Sequence, residues 1–130
     1  MNLSDSEFEA LIAKAMDELP QEYIKNLDNV AIVFAEHPTQ EQLKQQGVRT
    51  GSLLLGLYEG TPLIQRYSSG YSGVLPDKIT LFKLPLLRIS NSQDALFAQI
   101  KRTLWHEIAH HYGLDHRHIA SLESGQNETT

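Results

Sequence analysis

A chain of 130 residues, 41% of them hydrophobic, has material for one modest core, and no second domain is expected. Cysteine is absent, which excludes disulfides and thiolate metal sites, and a formal net charge of -5 argues against a surface that tracks nucleic-acid phosphates. Met1 to Leu19 is acidic and amphipathic, with no basic region before an apolar core, and no later apolar run approaches the roughly 20 residues needed to span a bilayer, so a cytoplasmic, membrane-free protein is expected.

Ser4 and Glu7 form a capping box, and Phe8, Leu11, Ile12, Ala15, Met16 and Leu19 follow at helical steps until Pro20, which predicts an amphipathic first helix. Gln21 to Leu27 extends this by a helical turn or two. Val30 to Phe34 is short, apolar and β-branched, as a buried strand would be. Pro38 breaks that run, and Thr39 to Gln46 reads as a short polar helix ended by Gly47. Ser52 to Tyr58 predicts a second strand, closed by a turn at Glu59-Gly60-Thr61-Pro62. Residues 63–75, rich in Ser, Gly and Tyr, predict a mobile loop. Pro76-Asp77 opens a third strand over Lys78 to Leu84, and Pro85 either ends its ladder or confines it to a sheet edge, where an extended peptide could add a strand.

Ser90 or Ser92 can cap a last long helix, with Asp94 favourably placed in its first turn. Leu96, Ile100, Leu104 and Ile108, joined by Phe97 and Trp105, form its buried face. His106, Glu107 and His110 fall on the adjoining side. Arg117 to Leu122 can add a short helix, and residues 123–130 read as a polar tail after a domain spanning 1–122.

The end of the long helix carries H-E-x-x-H-x-x-G-x-x-H, from His106 to His116. Residues four apart lie one above the other on a helix, so His106 and His110 can aim imidazole nitrogens at one point. Imidazole is a good zinc ligand, and with no cysteine the expected metal is Zn2+ on histidine or carboxylate. Glu107 is close enough to reach a metal-bound water but poorly angled to ligate, which suits a general base. Gly113 is a natural helix stop, beyond which Asp115 or His116 can supply a third ligand while a fourth position stays open for water. Chance assembles the full pattern in about one such chain in 20,000, against about one in 50 for H-E-x-x-H alone. That rarity disfavours histidines that merely pack or face solvent.

Together with Leu55-Gly56-Leu57-Tyr58-Glu59-Gly60-Thr61-Pro62-Leu63 and Leu75-Pro76-Asp77-Lys78-Ile79-Thr80-Leu81-Phe82, this motif resembles the minimal zincin-like metallopeptidase family. The resemblance implies an α+β domain, with a small mixed β-sheet packed on an N-terminal helix and a long active-site helix. It further implies zinc at His106 and His110 with Glu107 catalytic in peptide hydrolysis, the substrate being a peptide or protein and no nucleic acid. His116 is favoured over Asp115 as third ligand, because its spacing matches the long motif. A methionine turn after the third histidine, usual in the larger metzincin group, is missing, since the only methionines are Met1 and Met16.

The remaining histidines and tyrosines have plainer readings. His111, rotated about 100° from His110, should pack, cap the helix or support a ligand rather than bind the same metal. His118 is expected to face solvent. Tyr58, Tyr67, Tyr71 and Tyr112 are candidates for oxyanion stabilisation, with packing the simpler role for each. Two other functions compete. The Gly113-Leu114-Asp115-His116 run also resembles a metal-dependent endoribonuclease of ribosomal RNA maturation, although such enzymes typically lack a glutamate after the first histidine. A zinc-stabilised peptide-binding domain without turnover is the other.

Overall fold

The computed structural model describes residues 2–60 and 76–113, which contain five helices and a three-stranded sheet. Helix α1 (Asp5–Glu18) starts at the expected capping box: the Ser4 hydroxyl accepts the Glu7 N–H at 3.1 Å, and the Glu7 carboxylate accepts the Ser4 N–H at 3.0 Å. Phe8, Ile12, Ala15 and Leu19 of its apolar stripe are buried, and Leu11 and Met16 pack partly against the same core. A short helix α2 (Gln21–Lys25) follows, then strand β1 (Val30–Ala35) and helix α3 (Gln40–Gln45), the latter capped by Thr39 and Gln42.

Strands β2 (Gly56–Glu59) and β3 (Asp77–Phe82) complete the sheet, whose order is β1-β3-β2. β1 runs parallel to β3, with Val30 opposite Asp77 and Ala35 opposite Phe82, whereas β2 runs antiparallel, with Gly56 opposite Leu81 and Glu59 opposite Lys78. The fold is therefore α+β with a small mixed sheet, as expected from the sequence.

Three sequence expectations need correction. Of the two readings for Pro85 the edge one fails, since β3 is the central strand; its ladder does end before the proline, at Phe82 rather than Leu84. Pro85 falls in the first turn of a helix the sequence reading did not foresee, α4 (Lys83–Arg88), where a missing N–H costs little because first-turn donors have no partner within their helix. Second, β1 is an outer strand among the described residues instead of a buried one, and its Val33 is 39% exposed. Third, the second strand begins only at Gly56, although Leu55 still offers its carbonyl to the Phe82 N–H at 2.9 Å. The expected loop over 63–75, the short helix over 117–122 and the tail from 123 lie outside the described residues.

Helix α5 (Gln93–His111) is capped by Ser92, whose hydroxyl accepts the Ala95 N–H at 3.1 Å; Ser90 instead donates its hydroxyl to the Leu86 carbonyl at 2.8 Å. It packs on α1, α4, β2 and β3. Leu96, Ile100, Leu104 and Ile108 are fully buried along it, and each such side chain removed from water stabilises the fold by about 1.5–3 kcal/mol. Among the described residues no helix is long and apolar enough to cross a membrane.

Candidate metal centre

The last two turns of α5 carry the chemistry-bearing residues, and their position is fixed from below. Trp105 is 1% exposed and meets the edge of the Tyr23 ring at 5.4 Å, and Tyr23 in turn meets Tyr112 at 5.2 Å. The Tyr112 hydroxyl donates to the Tyr23 carbonyl at 2.6 Å, tying the helix end to α2. Gly113 ends the helix at φ 73°, a left-handed conformation costly for other residues, and donates its N–H to the His110 carbonyl at 3.0 Å.

Above this anchored base the polar side chains separate by exposure. His106 is half-buried, Glu107 is largely covered with 12% of its side chain exposed, and the His110 side chain is 48% exposed. The Glu107 carboxylate lies 3.4 Å from His110 Nδ1. It raises the His110 pKa above the usual imidazole range, chiefly through this hydrogen-bonding contact, while partial burial pulls the other way. The negative end of the helix dipole also favours positive charge here.

The described residues thus contain His106, Glu107 and His110 on the last turns of one helix. Among them no group of three or more His, Asp or Glu side chains is gathered closely enough to hold a metal. The expected third ligand His116 and its alternative Asp115 lie outside the described residues, as do His118, Tyr67 and Tyr71.

Of the roles open to His111, packing is the one its burial shows. It is fully buried, with its ring 5.0 Å from Tyr112 and nearly perpendicular to it, and its Nδ1 lies 3.4 Å from the Tyr58 hydroxyl and 3.6 Å from the Asp77 carboxylate. Tyr58 donates a short hydrogen bond to Asp77. Tyr58 and Tyr112 therefore already have polar roles inside the fold. Asp77, 2% exposed, was not singled out from the sequence. The available signal was an acid opening a strand, next to a proline and just ahead of Ile79, Leu81 and Phe82.

No curated protein matches the chain. Among solved structures, a conserved hypothetical protein from Thermo thermophilus has the same fold, with a TM-score of 0.54 and 21% identity over 83% of this chain and 92% of that one. The family model for zincin-like metallopeptidases matches residues 27–126, from just before β1 to beyond the end of α5 and including the whole His106 to His116 motif. The chain belongs to the zincin-like metallopeptidase family.

Proposed function

We propose that this protein is a zinc-dependent peptidase, with His106, His110 and His116 as ligands and Glu107 as general base. The observation that carries the reading is a largely covered carboxylate, Glu107, in company with two imidazoles one helical turn apart on an anchored helix end. Nitrogen donors suit zinc, and His106 and His110, one helical turn apart, would supply two of its four ligands. When bound, zinc supplies a Lewis acid that polarises a carbonyl and makes water more acidic. Glu107 takes the proton of the attacking water and afterwards returns it to the leaving amine, so one carboxylate serves as base and then acid. Strand β2, outermost among the described residues and packed against α5, offers an edge to which an extended peptide can pair by main-chain hydrogen bonds.

Metal analysis of the native protein, run beside cleavage assays on a mixed peptide library and on RNA, tests this reading. It expects one zinc per chain and peptide cleavage that a chelator removes, with RNA left intact. Glu107→Gln should lower cleavage about 10²–10⁴-fold with zinc retained. Stoichiometric zinc and peptide affinity without any cleavage would leave a binding domain instead, and chelator-sensitive RNA cleavage would point to a nuclease.

A further inference from the structure

Asp77 is a buried carboxylate at the point where three parts of the fold meet. It opens β3, its own N–H is held by the Asn29 carbonyl at 2.9 Å, and its side chain accepts the hydroxyl of Tyr58 on β2. The carboxylate also lies against Gly60: a Cβ on Gly60 would overlap the Asp77 carboxylate, and the glycine's φ of 149° belongs to a region other residues rarely enter. On its remaining side stands His111, the last residue of α5.

The Tyr58 hydroxyl has one proton, and it goes to Asp77. Its oxygen is then left to accept, so at 3.4 Å the hydrogen-bonding logic puts a proton on His111 Nδ1, facing Tyr58 and Asp77 together. The chain of donors runs from helix to sheet: imidazole to phenol to carboxylate. Withdrawing a carboxylate from water costs several kcal/mol, and an apolar residue would fill the same corner of a core without that cost. What the polar cluster adds is direction. It fixes the rotation of the last turn of α5, with His110 next to His111 in the chain and His116 five residues further on.

We infer that Asp77, acting through Tyr58 and His111, is a positioning residue for the metal centre: it sets the orientation of the helix end that presents the ligands. The inference rests on the zinc reading proposed above. Support for a ligand by a hydrogen-bonded carboxylate is a common device in metal sites, and its removal typically lowers affinity or activity about 10–100-fold. Here the support is one residue removed, since the imidazole it holds is the neighbour of a ligand in sequence.

The test is the zinc dissociation constant, measured with zinc alone by competition against a chromogenic chelator, for wild type, Asp77→Asn, Tyr58→Phe and Ser92→Ala. Asp77→Asn and Tyr58→Phe should each weaken zinc by about tenfold or more. Ser92→Ala removes the hydroxyl that caps the opposite end of α5, so it measures loss of stability alone; it should lower the melting temperature and leave zinc affinity within about twofold. If folded Asp77→Asn binds zinc within about threefold of wild type, or if Ser92→Ala loses as much affinity, the positioning role is overturned. Should Asp77→Asn fail to fold, Tyr58→Phe, which removes a single oxygen, decides by the same thresholds. Wild type without zinc would overturn the metal reading itself, an outcome distinct from wild type and Asp77→Asn binding it equally.

Discussion

Helix α5 is one continuous helix with two unlike halves. From Leu96 to Leu104 it turns a row of fully buried apolar side chains onto α1 and the sheet, and its charged neighbours only border that row: the Lys14 ammonium sits 4.6 Å over the Phe97 ring, and Lys101 pairs with Glu18 at 3.3 Å. From Trp105 to His111 the same helix buries Trp105, Ile108 and Ala109 beneath while presenting His106, Glu107 and His110 at the side. The first half stabilises the fold, and the second is held in place by it. Stability and metal chemistry should therefore respond to different substitutions along a single element.

The sharpest break in that comparison should come from Ile100→Ala. Ile100 is fully buried in the middle of the apolar half, and a truncation of this kind costs about 2–5 kcal/mol. Denaturant unfolding should show the loss, yet the protein that remains folded should bind zinc with unchanged stoichiometry. A smaller effect of the same kind is expected at the start of the helix, where Ser92→Ala removes the cap on the Ala95 N–H and should cost about 0.5–2 kcal/mol. Loss of zinc at either position, under conditions where the protein stays folded, would mean that the two halves are not separable.

The smallest effect belongs to the other half and can be read by NMR titration of metal-free protein. Glu107 raises the His110 pKa, so protonated His110 is favoured in the folded state. That contribution to stability is present in full below the unfolded-state value of about 6.5 and is lost as pH rises through the higher folded value. The His110 midpoint should lie above the usual histidine value and fall in Glu107→Gln. A midpoint unmoved by that substitution would deny the contact between the two side chains.

What the sequence made legible was local. The capping box of Ser4 and Glu7, the stripe from Phe8 to Leu19, the helix stop at Gly113 and the grouping of His106, Glu107 and His110 all depend on neighbours within a few positions. The place of β3 was not legible, because Ile79 and Leu81 on one face and Thr80 and Phe82 on the other are all buried, and alternation cannot say which edge of a strand is paired. Helix α4 was hidden by the same alternation continuing through Lys83 and Leu84. Lys83, read as part of a strand, instead buries its stem and pairs its ammonium with Asp5 at 2.8 Å, 78 positions away. The Tyr58, Asp77 and His111 cluster was illegible for the same reason, since its members come from three elements and meet only through tertiary packing.

The central claim is that the last turns of α5 form a zinc site that is separable from the stabilising half. Its most direct test is zinc content per chain, by mass spectrometry of metals, in the His106→Ala, His110→Ala double variant. Neither side chain is fully buried, so the variant should fold with a melting temperature close to that of metal-free wild type. Stoichiometric zinc in the wild type and none in the folded variant is the result expected here; full occupancy surviving in the variant would contradict it.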